Sequence, residues 1–262
     1  MYSKLCDSGF FDELYGTHCN DNDYDTRGTV GQSAESFFLL KLRKDNLCPV
    51  FDCHEKYTEE DLFDVIELLY DHVSKRYDAG MRHSWCECGG CGAKYEKVEG
   101  QTEFRREMNS LLADYGDGFE LLVTGEIVRT ANPGMNALLR GAIPKYDPKN
   151  VEKRVEAAIR KFRSGRSTFD DRRAAVRDLA DVLEYLRADL KKVVVKKDED
   201  TLFRIANEFG VRHHTPNQQV DYDPELWLGW MFYFYLSTYH VVIRTIKRQQ
   251  DDGITVVGHS ST

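Results

Sequence analysis

The sequence has no positively charged start followed by an apolar stretch: its opening, MYSKLCDSGFFDELYG, is mixed and acidic. A secretory signal is therefore not expected, and the cytoplasm is the default location. It also has no internal repeat and no low-complexity tract, and its composition carries neither a collagen-like nor a disordered bias. Solenoids, fibres and unstructured linkers are excluded. Paired Cys-x-x-Cys units at a fixed gap are missing as well, and seven cysteines are an odd number for a disulfide framework. Reduced thiols or a metal site are the alternatives.

What is present begins with charge. The net charge of −8 conceals an uneven distribution along the chain. Residues 1–148 hold 16 basic against 27 acidic residues, residues 149–197 hold 15 against 8, and residues 198–262 hold 5 against 9. The balances are −11, +7 and −4. A polyanion could dock on the middle segment while the rest repels it; two solvated helical faces are the plain alternative.

Hydrophobic spacing supplies the architecture. Thr58 with Asp61 three residues on forms a capping-box pattern, and Leu62, Val65, Ile66, Leu69 and Val73 mark one helical face. A second amphipathic helix is predicted over 102–115, with Gly116 as its stop. Phe119–Val123 and Glu126–Val128 flank Thr124-Gly125 and predict a β-hairpin. From Asp147-Pro148 onward four helices are predicted. Ser167 opens the second, Asp198 the third, and Asp223-Pro224-Glu225 the fourth, where Pro sits at the first helical position and Glu on the positive end of the dipole. The fold class is mainly α: a smaller α+β N-terminal region over 1–146 containing the hairpin, a C-terminal helical bundle over 147–250, and a flexible tail over 251–262.

The fourth helix contains eighteen uncharged residues, Leu226 to Ile243. Tyr233, Tyr235, Ser237, Thr238, Tyr239 and His240 lie inside that run, so their polar atoms would need partners in hydrocarbon. A buried helix of a bundle is the simpler reading, and no membrane contact is expected.

Two stretches carry candidate chemistry. In His83-Ser-Trp-Cys86-Glu-Cys88-Gly-Gly-Cys91, three thiols on a glycine-rich turn could hold a structural zinc through Cys86, Cys88 and Cys91, with a fourth ligand from Cys48, Cys53, His54 or His83. Incidental reduced cysteines are the alternative. In the loop before the aromatic helix, Arg212 stands beside His213 and His214. A guanidinium can grip a phosphodiester through two hydrogen bonds, and an imidazole titrating near neutrality can move the proton of a ribose 2′-hydroxyl. That chemistry requires no metal cofactor. Asn207 and Gln219 are placed to position the phosphate or the histidine tautomer. Against this, adjacent histidines diverge on most backbones, and Arg212 could simply bridge Asp221 or Asp223 to tie down the loop.

The segments DLFDVIELLYDHVSK, GQTEFRREMNSLLADYGDGFELLVTGEI, DDRRAAVRDLADVLEYLR and LFRIANEFGVRHHTPNQQVDYDPELWLGWMFYFYLSTYH resemble bacterial proteins akin to AbiJ-type abortive-infection proteins. The C-terminal helical part resembles a HEPN domain (higher eukaryotes and prokaryotes nucleotide-binding). The resemblance spans residues 60 to 248, with FGVRHH its most specific element. It implies a bundle that dimerises, paired loops forming a metal-independent endoribonuclease site, RNA as substrate, and a place in phage defence with a partner protein of the defence system. The family's ribonucleases usually carry an Arg, a polar residue, and a His four to six residues after the Arg. Arg212 and His213 match the start of that motif, whereas Asn217 and Gln218 stand where the His belongs. A non-catalytic helical adaptor that binds a protein or a nucleotide is the alternative reading.

Overall fold

A computed structural model describes residues 1–19, 24–31, 33–77, 94–116, 118–131, 133–193, 200–201, 203–204 and 223–257. Most of them are helical, with three two-stranded antiparallel hairpins. The chain divides into two units, Met1–Thr130 and Ala131–Thr262.

In the first unit the order is α1 (Tyr2–Asp7), α2 (Asp12–Tyr15), β1 (Gly16–Cys19), β2 (Tyr24–Arg27), α3 (Ala34–Leu42), α4 (Val50–Cys53), a 3₁₀ turn (His54–Lys56), α5 (Glu59–His72), β3 (Lys75–Tyr77), β4 (Lys94–Glu96), α6 (Lys97–Leu112), β5 (Phe119–Leu121) and β6 (Ile127–Arg129). Helix α5 starts where its capping box predicts. Asp61 N donates to Thr58 Oγ1 at 3.1 Å and Thr58 N donates to Asp61 Oδ2 at 3.0 Å, which satisfies two end groups the helix leaves open. Its apolar stripe, including Phe63, Ile66 and Leu69, is buried with Phe104, Met108 and Leu112 of α6.

Hairpin β5–β6 pairs Phe119 with Arg129 and Leu121 with Ile127. It is held by helix side chains acting on its backbone. Asn109 Oδ1 accepts from Leu121 N at 2.7 Å and Asn109 Nδ2 donates to Leu121 O at 3.2 Å. On the other strand Glu67 Oε1 accepts from Ile127 N at 2.7 Å. The turn between the strands passes through Gly125 at φ +90°, a conformation that side chains disfavour. Helix α6 begins at Lys97, five residues ahead of the sequence expectation, and Gly100 lets its first turn close on the chain before β3. A Cβ there would lie 2.6 Å from the backbone of Ser74 and Lys75.

The second unit contains α7 (Pro133–Arg140), a π-helical turn (Pro148–Glu152), α8 (Lys153–Arg163), α9 (Phe169–Tyr185), α10 (Arg187–Val193) and α11 (Pro224–Val257). Helix α11 runs past 250 to Val257, so the backbone over 251–257 continues the helix rather than forming the expected tail. The unit begins at Ala131, whereas the sequence reading put the boundary at 146/147. Leu139 is buried in the C-terminal core, and Ala131, Leu138, Ile143 and Tyr146 pack against it.

That core is built on α11. Leu228, Met231, Phe232, Tyr235, Leu236, Tyr239, Val242, Ile243 and Ile246 recur at helical spacing and are all buried. They meet Val155, Ala158 and Phe162 of α8 and Val176, Leu179, Val182 and Leu183 of α9. The Phe162 and Phe232 rings stack with centroids 3.8 Å apart and planes 7° from parallel. Among the described residues no helix is long and apolar enough to cross a membrane.

The segment 144–147 is tied to three helices. Tyr239 OH donates to Pro144 O at 2.6 Å. The buried Glu152 carboxylate accepts from Tyr146 N and Asp147 N. Tyr146 OH donates to Asp189 of α10, which pushes the phenol up to about 12 chiefly through that bond. Asp147 in turn caps the π turn by accepting from Lys149 N at 3.1 Å and Asn150 N at 3.2 Å.

Candidate functional site

The residues singled out for phosphate binding and proton transfer, Arg212, His213, His214, Asn207 and Gln219, lie outside the described residues, as does Asp221. The structure does describe what flanks them. On the N-terminal side Phe203 is buried in the C-terminal core, and the Arg187 guanidinium lies 4.6 Å from its ring centroid. Arg187 opens α10, just past the end of α9. On the C-terminal side α11 starts at Pro224, and Asp223 Oδ1 accepts from Glu225 N at 3.0 Å and Leu226 N at 3.3 Å. Glu225 pairs with Arg172, in the first turn of α9, at 2.9 Å. The two flanks are thus fixed at opposite ends of α9. Seventeen residues of helix span about 25 Å at 1.5 Å per residue.

Helix α9 can serve as that ruler because its start is well defined. Asp171 N donates to Thr168 Oγ1 at 3.2 Å and Thr168 N donates to Asp171 Oδ2 at 3.0 Å. The sequence reading placed this start at Ser167. Its hydroxyl is instead spent on Lys161 O at the end of α8, which leaves the cap to Thr168.

The electrostatics of the C-terminal flank matter for any anionic ligand. A helix N-terminus attracts anions through its open N–H groups, but the first ones of α11 are already taken by the Asp223 carboxylate. A phosphodiester brought to this end must therefore be held by side chains. Exposed cations are present on the same unit: Lys153, Arg154 and Arg160 on α8, Arg166 in the α8–α9 connection and Arg177 on α9. Lys161 is committed to Asp178 at 2.7 Å. The basic middle segment of the sequence thus contributes exposed cations, interrupted by Glu156 on α8 and by Asp170 and Asp171 at the start of α9, on helices whose other faces are buried.

Along α11 some polar groups inside the uncharged run find partners within the protein, whereas the buried His240 Nε2 has no hydrogen-bond partner among the described residues. Ser237 Oγ and Thr238 Oγ1 both donate to Phe234 O, at 2.9 and 2.7 Å. His240 is buried at 6 % exposure, and burial, followed by the nearby Arg244 charge, holds its imidazole below the usual histidine range. The opposite side of the helix leaves Leu226, Trp227, Trp230 and Val241 exposed.

Cys86, Cys88 and Cys91 also lie outside the described residues, together with His83. Among the described residues no three or more histidine, cysteine, aspartate or glutamate side chains gather to hold a metal. Of the fourth-ligand candidates, Cys48 and Cys53 are free thiols. Burial, followed by the Glu35 charge, pushes the Cys48 thiol up to about 11. His54 Nδ1 lies 2.7 Å from Phe51 O, to which only an N–H can be donated.

One feature escaped the sequence reading: a cavity of about 360 Å³ in the first unit, between α1, α4, α5 and α6. Its lining comes from four separate stretches of chain, each of which on its own reads as an ordinary helix face.

No family model, curated protein or solved structure matches the chain.

Proposed function

We propose that the chain is a metal-independent endoribonuclease of the HEPN, abortive-infection type, acting on RNA in the cytoplasm as part of phage defence. The observation that carries the reading is the placement of the flanks of the Arg212 segment. Phe203 on one side and Leu228 on the other are buried in one helical core, so the segment joins two core elements of the unit that also carries the exposed cations. In this reading Arg212 grips the scissile phosphodiester, and Asn207 and Gln219 orient it. His213 or His214 takes the proton of the 2′-hydroxyl as its oxygen attacks phosphorus. The bond to the 5′-oxygen breaks, and that oxygen leaves with a proton supplied by the same imidazole or by its counterpart in a homodimer. The products are a 2′,3′-cyclic phosphate and a 5′-hydroxyl. The exposed cations of α8, Lys153, Arg154 and Arg160, supply the sequence-independent part of the affinity, which weakens as salt rises.

Incubation of the purified protein with RNA in excess chelator tests this. Cleavage to those product ends, lost in Arg212→Ala and in His214→Ala, supports the assignment. Intact RNA with the wild-type protein, or cleavage that survives both substitutions, refutes it. Phage plating on cells carrying the wild-type or Arg212→Ala protein tests the defence role, together with any partner protein encoded beside it.

A second reading, a non-catalytic helical adaptor, is favoured by the exposed Leu226, Trp227, Trp230 and Val241 on α11. Exposed aromatic groups of this kind anchor protein interfaces. Zinc held by Cys86, Cys88 and Cys91 is compatible with either reading as a structural staple and supplies no step of the cleavage. Metal content of gently purified wild-type protein against Cys88→Ser decides it, since equal content in the two removes the proposal.

A further inference from the structure

We propose that the cavity of the first unit is a binding site for a neutral, largely apolar small molecule carrying one hydroxyl. The cavity holds about 360 Å³, within the range of small-molecule pockets.

Its walls set the ligand class. Leu62 and Ile66 of α5 and Phe104 and Met108 of α6 line it, and no Asp, Glu, Lys or Arg side chain does, in a chain of which 31 % is charged. Two tyrosine hydroxyls in the lining are committed elsewhere: Tyr2 OH to Tyr15 OH at 3.0 Å, and Tyr57 OH to Leu47 O. A phosphate, nucleotide or carboxylate would enter this space with no side-chain counter-charge, at a cost its apolar walls do not offset. The ring group left for a ligand is His54 at the margin, and the Ser3 and Tyr115 hydroxyls also belong to the lining. With Nδ1–H given to Phe51 O, Nε2 is the ring nitrogen that remains for a ligand hydroxyl.

The mouth argues for a small molecule over a protein partner. Phe51, Leu111 and Tyr115 line the cavity and are 68 %, 52 % and 40 % exposed. A rim of this size falls well short of the roughly 20–30 residues a side of a stable protein interface.

The test uses the full-length protein and the neutral fluorophore 1-aminoanthracene, with 1-decanol and decanoate as competitors. The expected result is saturable binding of one fluorophore per chain, displaced by 1-decanol at a concentration at least about tenfold below that of decanoate. Leu62→Trp fills the cavity and Leu111→Lys puts a charge at its mouth; each is expected to weaken fluorophore binding about tenfold or more. Leu111 is half exposed, so its variant keeps the test open if Leu62→Trp does not fold. His54→Phe is expected to keep the fluorophore and to lose most of the preference for the alcohol. Non-saturable binding, equal displacement by decanoate, or wild-type binding in a folded Leu111→Lys protein overturns the proposal. So does a doubled solution mass that Leu111→Lys alone abolishes, since the mouth would then belong to a second copy.

Discussion

Replacing Glu152 by alanine should destabilise the C-terminal unit far more than its position on an amphipathic helical stretch suggests. Glu152 is 7 % exposed, and its two oxygens accept from Tyr146 N and from Asp147 N, the latter at 3.0 Å. Alanine removes both acceptors and leaves two half-buried donors facing protein. An unsatisfied buried donor costs about 1–3 kcal/mol. Because Tyr146 and Asp147 are only half-buried, water recovers part of this, and the loss should total about 2–4 kcal/mol. For a unit of this size that corresponds to roughly 6–15 °C in Tm. Glu152→Gln keeps one carbonyl acceptor and should lose about half as much.

Urea unfolding followed by tryptophan fluorescence is the assay, because Trp227 and Trp230 both lie on α11 and report on this unit. An alanine variant within about 0.5 kcal/mol of wild type, the range of an ordinary surface change, would refute the reasoning. Tyr239→Phe supplies an internal control. It releases Pro144 O in the same short segment, so the two losses should combine by less than their sum, by at least about 0.5 kcal/mol.

Thr168→Ala removes the hydroxyl that caps α9 and should cost about 1 kcal/mol in the same assay, whereas Ser167→Ala breaks a bond to Lys161 O and leaves the cap intact. Phe232→Ala removes a fully buried ring stacked on Phe162 and should cost about 3–5 kcal/mol, enough to unfold a marginal domain. On the pH axis, burial holds His240 and His72 below the ordinary histidine value, with the Arg244 charge next in importance for the first and the Lys41 charge for the second. The folded state therefore binds fewer protons than the unfolded one. Stability is full above the unfolded value of 6.5 and falls as pH drops below it. Urea midpoints at pH 8 and pH 5 check this, and an unchanged midpoint would contradict it.

Local signals in the sequence translated into structure wherever the determinants lie within a few residues of each other. Thr58 and Asp61 cap α5, Thr124-Gly125 turns the β5–β6 hairpin, and Asp223-Pro224 opens α11, each where the chain order places it. What depended on a distant partner was not legible. Ser167 and Thr168 are equally good caps in sequence, and only the Lys161 carbonyl decides between them. The apolar pattern around Leu139 says that it is buried but not in which core, so the division between the units fell at Ala131 instead of after Tyr146. The cavity combines four stretches between residues 1 and 115, and no single window contains it. For the candidate site, the flanks were legible and are borne out at Asp223. The reacting side chains themselves lie outside the described residues.

Helix α11 shows how one uncharged run can serve two purposes. A membrane span would face lipid on all sides, yet nine of its hydrophobic side chains are buried in the protein core, and Ser237, Thr238 and Tyr239 bond to protein carbonyls. The lack of charge on that side is explained by packing alone. Packing does not explain the other side, where Leu226 is 73 % and Val241 64 % exposed, and where a Cβ added at Gly229 would meet nothing within 4 Å. Exposed positions carry little folding energy, so Val241→Glu should change the urea midpoint by no more than about 0.5 kcal/mol. If the face is a contact surface, the same substitution should abolish association of α11 with a second copy or another protein, because an unpaired carboxylate would be buried there. A folded Val241→Glu protein whose solution mass and partner binding match wild type would remove the contact role and leave the apolar strip without a physical account.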